Sequence, residues 1–415
     1  MSVTSFNRSR PSLRPGVLSR LMAHPGLWLA LGVGLALKVA VLATGSVTFD
    51  ADEAVVALMA RRITQGARPI FFYGQNYMGA LDAYLIAPVF LIFGQTVLAV
   101  RLVQTALFLG AVGTTYGLAY RLTHNRIGAI VAGLLVALPP ILVNLYTTAT
   151  LGNYGETLLL GNLLLWLAWN LADGARSHPF WWLAWGLLAG LGWWGMALIV
   201  VYAAPGIALV IWRYRKAMPW GEIGLAGLGF VIGASPWLIA TLQAGPAATL
   251  GDAAGAWIDD SFLGGLTAAF PSRLTTLLVF DLPALFGLRP PWSVEWVLLP
   301  VGMIVAAAYL AALYAAARRA LDRETSPGER GPLATLLGGW AVLLAAFVLT
   351  PFGRDPTGRY LLPLYPLLAI VVGWWLSRAG FRPYPASSPP NRPVGLKANA
   401  TSKHLHVASD FSPTL

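Results

Sequence analysis

Apolar runs of roughly 20 residues recur along the chain, and each is long enough to cross the hydrocarbon core of a bilayer. They fall at about 27–45, 100–120, 127–146, 155–172, 179–194, 196–212, 222–242, 295–316, 333–350 and 359–377. The reading is an all-α integral membrane protein, a polytopic helical bundle of about 10 transmembrane helices. Composition points the same way. Of the 415 residues 57% are hydrophobic and 11% charged, against about 25% charge in a soluble domain. The 44 glycines and 29 prolines suit bent, closely packed membrane helices. With no cysteine, disulfides, thiolate metal sites and a cysteine nucleophile are excluded.

The net charge of +11 would fit a nucleic-acid binder. The basic residues, however, sit in short loops between apolar runs, which is a topology signal. No nucleic-acid partner is expected. Topology depends on one short apolar segment, Gly79 to Gly94, with Asp82 near its start and Pro88 inside. If it lies in the outer leaflet without crossing, most of the 28 Lys and Arg fall on the inner side, as the positive-inside rule requires. Carboxylates then collect on the outer face.

The expected organisation is a cytoplasmic basic N-terminus at 1–26, with the first span an uncleaved anchor, and a membrane domain at 27–377. The first outer loop is 46–99. A large outer loop at 243–294 carries a short surface-lying helix in GAWIDDSFLGGLTAAF. Residues 378–415, rich in Pro, Ser and Asn, read as a disordered cytoplasmic tail.

The first outer loop opens with Asp50, Asp52 and Glu53 inside four residues. From Glu53 to Gln65 the sequence fits a surface-lying helix with Val55, Leu58, Met59 and Ile63 along one stripe. Asp50 is spaced from Glu53 as in a capping box. A cap needs one or two acidic groups and here there are three. A carboxylate at a poorly solvated surface has raised basicity, which suits a general base near neutral pH. Asp50, Asp52 and Glu53 are therefore the catalytic candidates. Asp82 and Glu156, at the starts of two apolar helices, are candidates to bind acceptor or metal. Asp52 and Glu156 are the residues through which a divalent cation would be held; no other cofactor is indicated. Arg101, Arg354 and Arg359 fall at outer helix ends, where a guanidinium can hold a phosphate in bidentate fashion. Lys38, inside the first span, either snorkels outward or serves the same cavity. Tyr360 and Tyr365 read as interfacial anchors.

The stretch FDADEAVVALMARRITQGARPIFFYGQNYMGALDAYLIAPVFLIFG, with VRLVQ, NYGETLLLG and GRYLLPLYP further on, resembles the GT-C membrane glycosyltransferases. The nearest branch is the family 39 group of protein O-mannosyltransferases and aminoarabinose transferases. The resemblance implies a polyprenyl-phosphate sugar as donor. It places Asp52 and Glu53 in the family's acidic motif of the first outer loop, Glu156 where relatives carry a second acidic residue, and Arg101 and Arg359 near the donor phosphate. It also implies two surface-lying helices in that loop.

The expected function is transfer of a sugar to an acceptor hydroxyl with inversion, the acceptor being a lipid, glycan or protein. The expected location is the cell membrane, with the active site on the extracytoplasmic face. The competing class is a lipid-linked-sugar transporter or flippase. That class needs polar residues across the bilayer midplane and often repeated halves; here the ionisable groups concentrate at one face and no repeat is detected.

Overall fold

The computed structural model describes residues 24–173, 178–245, 266–297 and 299–379. The basic N-terminus up to residue 23, most of the surface helix expected in the large outer loop, and the tail beyond 379 lie outside the described residues.

Helix α1 (Pro25–Thr44) begins on a proline, tolerated there because a first-turn N–H has no helical partner, and stops at Gly45 in the left-handed region, φ 61°. Helix α2 (Ala51–Thr64) is capped by Asp50, which accepts the Glu53 backbone N–H at 2.9 Å. Its buried face is Glu53, Val56, Met59 and Ala60. The expected stripe is thus rotated: Leu58 is exposed, because Glu53 turns inward to a buried partner described below. A two-stranded antiparallel hairpin follows, β1 (Phe71–Phe72) and β2 (Gln75–Gly79), with Gly74 at φ 87° in the turn. Helix α3 (Leu81–Phe93) packs on α2. Its 13 residues extend roughly 20 Å at 1.5 Å per residue, short of a ~30 Å hydrocarbon core. Together α2, the hairpin, α3 and the start of the next helix bury their own apolar cluster around Val56, Met59, Phe72, Ile86 and Val100.

The main bundle continues with α4 (Val97–Thr123), α5 (Arg126–Ala137), α6 (Ile141–Tyr146), α7 (Tyr154–Ala172), α8 (Pro179–Gly195), α9 (Val200–Tyr214), α10 (Trp220–Gly233) and α11 (Ser235–Ala244). After residue 265 come α12 (Leu266–Thr275), α13 (Leu282–Leu285), α14 (Leu299–Leu321), α15 (Pro327–Leu349) and α16 (Leu364–Arg378). All ten predicted spans contain helix. By length and composition, however, five helices among the described residues qualify individually as spans: α1, α4, α14, α15 and α9 with the turn before it. The α10–α11 pair, bent by 67°, makes a sixth if it is one span. Helix α7 is 19 residues long but carries Glu156, Asn162 and Asn170, and the others are shorter or interrupted. Pro139 and Pro140 split the third predicted span, since a proline cannot complete the helical ladder. The last predicted span loses its first residues to the short 3-10 turn Arg359–Leu361. Several apolar helices of this kind make a multi-pass membrane protein.

Close approach of α8 and α10 rests on glycine. A Cβ at Gly186 would strike the Ala226 carbonyl, one at Gly190 the Phe230 carbonyl, and one at Gly233 the Leu187 carbonyl. Gly186 and Gly190 on α8, and Gly229 and Gly233 on α10, are each spaced Gly-x-x-x-Gly, the pattern that brings membrane helices into backbone contact. Gly190→Ala is expected to cost about 1–3 kcal/mol through overpacking, read as a lower detergent-resistant melting temperature. Gly224→Ala on α10, where nothing lies within 4 Å, should stay within about 1 kcal/mol of wild type.

Candidate active site

At one end of the bundle α2, the hairpin, and the first turns of α7 and α9 meet the last turns of α15 and the 3-10 turn at Arg359. They enclose a cavity with about 1130 Å³ of empty space, part of it open to solvent. Asp52, Gln75, Tyr77, Tyr154, Thr350, Arg359 and Tyr360 supply its polar lining. Phe72, Met78, Val201, Leu343 and Phe347 supply much of the apolar lining.

The hairpin is held in place by its backbone. The Asn153 amide donates to the carbonyls of Gly79, at 2.8 Å, and Gly195, at 3.2 Å. The Trp194 indole donates to the Ile70 carbonyl at 2.8 Å. A side chain at Gly79 would collide with the Trp194 carbonyl, so only glycine lets the strand lie this close. Asn153 itself adopts φ 58° at the start of α7, a conformation asparagine tolerates better than most residues.

The three clustered carboxylates have three different surroundings. Asp50 is the helix cap. Asp52 is exposed and lines the cavity. Glu53 is fully buried and paired with Arg101 through two bonds, Nε to Oε1 at 3.2 Å and Nη2 to Oε2 at 2.9 Å. The third arm of Arg101, Nη1, donates to the Val47 carbonyl at 2.8 Å. Neither Glu53 nor Arg101 is part of the cavity lining. The pair clamps α2 and the chain segment before it onto α4.

Asp82 is buried outside the lining and accepts the Thr150 hydroxyl at 2.7 Å and the Ala83 amide at 2.8 Å. Burial raises its carboxyl above the usual carboxylate range, and those hydrogen bonds only partly offset this. Glu156 is also buried, within electrostatic reach of Asp82. Asp52 and Glu156 therefore do not face one space. Among the described residues no three His, Cys, Asp or Glu side chains group as metal ligands, and the chemistry below routes no step through a metal.

Arg359 is half-buried on the cavity wall. Its Nε pairs with Asp355 at 2.6 Å and its Nη2 donates to the Tyr360 hydroxyl at 3.2 Å. Tyr146 and Tyr154, packed edge to face at 5.0 Å, complete its surroundings. Arg354 is exposed on the preceding turn, outside the lining. The structure thus brings Asp52 and Arg359 to one cavity and leaves Asp50, Glu53, Asp82, Arg101, Glu156 and Arg354 off its wall.

Three placements depart from the sequence reading. Lys38 neither snorkels nor lines the cavity: it is fully buried, donating to Asn144 Oδ1, Thr147 and Thr148 at 3.0, 2.9 and 2.7 Å. Tyr365 is no interfacial anchor, because it is buried and donates to the Leu135 carbonyl at 2.8 Å. Tyr360 is a cavity residue. Sequence reading also passed over Tyr77 and Tyr154, whose signal was an aromatic beside each acidic motif. It passed over Asp281 as well, which is fully buried beside the Gly358 backbone behind Arg359. Burial first, then the neighbouring Asp355 carboxylate, push Asp281 up to about 8.

Residues 80–239 match the family model described as dolichyl-phosphate-mannose-protein mannosyltransferase. The fold is similar to the crystal structure of ArnT from Cupriavidus metallidurans bound to undecaprenyl phosphate, at 14% identity and a TM-score of 0.55, over 86% of this chain and 61% of that one. It is also similar to the archaeal oligosaccharyltransferase AglB from Archaeoglobus fulgidus, in complex with an inhibitory peptide and a dolichol-phosphate, at 14% identity and a TM-score of 0.49, over 86% and 50%. The chain spans about three-fifths of the ArnT length. No curated protein matches the sequence. The fold is thus similar to that of ArnT, and the family match covers residues 80–239, less than half of the chain.

Proposed function

We propose that the chain is a membrane glycosyltransferase that moves a sugar from a polyprenyl-phosphate donor to an acceptor hydroxyl. The observation that carries this reading is a single cavity lined by both Asp52 and Arg359. The apolar lining suits the isoprenoid next to the phosphate. Arg359, steered by Asp355 and Tyr360, faces the phosphate. Asp52 takes the proton from the acceptor hydroxyl as its oxygen attacks the anomeric carbon. The bond from that carbon to the phosphate oxygen breaks, and the phosphate leaves with the electron pair. Attack from the face opposite the leaving group inverts configuration. Fixed positive charge beside the leaving phosphate is worth most in a site shielded from water. ArnT bound to undecaprenyl phosphate and AglB with a dolichol-phosphate and a peptide support a lipid-linked donor and leave lipid, glycan and protein acceptors in view. The bias of Lys and Arg across the loops supports a plasma-membrane protein whose cavity opens on the extracytoplasmic side.

The test is transfer from a radiolabelled polyprenyl-phosphate sugar by the purified chain in proteoliposomes. Arg359→Met is expected to lower turnover by about 10²–10³-fold, the scale of losing one fixed charge-stabilising donor. Undiminished turnover in that variant, or counterflow of unmodified lipid-linked sugar with no product, would sink the reading.

A further inference from the structure

A second cavity lies at the other end of the same helices. Along α9 the first cavity takes Val200 and Val201, and the second takes Arg213 and Tyr214. Their nearest lining residues on that helix, Val201 and Leu209, lie roughly 12 Å apart along its axis. Helix α7 gives Tyr154 to the first and Trp169 to the second, and α15 gives Leu343 to the first and Gly331 to the second. The second cavity encloses about 1360 Å³ of space open to solvent.

Its charge is one-sided. Arg213, Arg215 and Lys216 line it, and among the described residues Asp173 is its only acidic lining residue. That carboxylate is already taken by Arg121 at 2.6 Å. Arg213 is tied by its Nε to the Ala172 carbonyl at 2.9 Å; it, Arg215 and Lys216 are all exposed. Between these cations stands Trp212, with the guanidinium of Arg215 at 5.7 Å from its ring centre and that of Arg330 at 5.3 Å. The site also has an apolar flank. Exposed Ile207 and Ile211 continue from Trp212 along α9. Phe180, Trp181 and Trp220, at the adjoining starts of α8 and α10, are exposed too. Exposed aromatics gathered at one end of a membrane bundle mark the depth of the lipid headgroups.

We propose that this second cavity binds the phosphodiester headgroup of an anionic phospholipid. Arg215 and Lys216 hold the phosphate, Trp212 seats the glycerol, and the acyl chains run along Ile207 and Ile211. Basic pockets between membrane helices are built for this ligand class, and the apolar flank selects a lipid over a soluble anion.

The full-length chain in detergent, titrated with phosphatidylglycerol, phosphatidylcholine and inorganic phosphate and followed by native mass spectrometry and thermal unfolding, tests the assignment. Phosphatidylglycerol is expected to bind at least about 10-fold more tightly than phosphatidylcholine. Arg215→Gln with Lys216→Gln should lose that preference, and Arg61→Gln with Arg62→Gln, exposed on α2 near the first cavity, should keep it. If the double variant fails to fold, Lys216→Gln alone carries the measurement. Equal binding of the two lipids, retention of the preference by the variant, or inorganic phosphate displacing the lipid at equal concentration overturns the proposal.

Discussion

Asp52→Asn is expected to reduce turnover by about 10²–10⁴-fold, the range contributed by a positioned general base, while binding of the lipid-linked donor stays near wild type. The substitution keeps the shape of the side chain and removes its capacity to take a proton. Among the described residues Asp52 is the only carboxylate on the wall of the first cavity, so no described neighbour can take over. Asp50 provides the contrast. Asp50→Asn removes a charge but keeps a competent cap, so its effect is at most about 1 kcal/mol on stability and little on turnover. The measurement is single-turnover transfer with saturating donor, which separates chemistry from binding. Turnover of Asp52→Asn within about threefold of wild type would remove the proton-transfer role from this residue and return it to the rest of the cavity.

Much of the helical bundle is legible in the sequence because lipid leaves little choice: a long apolar run has to satisfy its backbone internally, and a helix does so within one segment. What is not legible is where local rules meet distant partners. Asp52 and Glu53 are adjacent, yet successive helical side chains point about 100° apart, so one reaches the cavity and the other the core. Which is which depends on Arg101, 48 residues away. Lys38 looked like a snorkelling lysine because its acceptors, Asn144, Thr147 and Thr148, lie more than 100 residues on. The hairpin left no periodic trace, since β1 has two residues, and yet it supplies Phe72, Gln75, Tyr77 and Met78 to the cavity. Arg359 was legible because a guanidinium between glycine and proline turns sits where helices end, and the cavity is built from helix ends.

The Glu53–Arg101 pair yields the largest expected effect on stability. Both side chains are buried, and Arg101 spends all three nitrogens, two on Glu53 and one on Val47. Glu53→Ala leaves a guanidinium in a dry setting with one partner, which costs about 3–5 kcal/mol when a buried pair is broken from one side. Removing both charges is different: a buried pair replaced by apolar residues of similar volume is often neutral. Glu53→Met with Arg101→Leu should therefore recover most of the stability lost in either single variant, and a double-mutant cycle on detergent-resistant unfolding measures the coupling directly. The same double variant decides between scaffold and catalyst. If the pair only positions α2, the refolded double variant keeps turnover within about tenfold of wild type, because Asp52 still faces the cavity. A double variant that is as stable as wild type but inactive would mean that Glu53 or Arg101 takes part in the reaction itself.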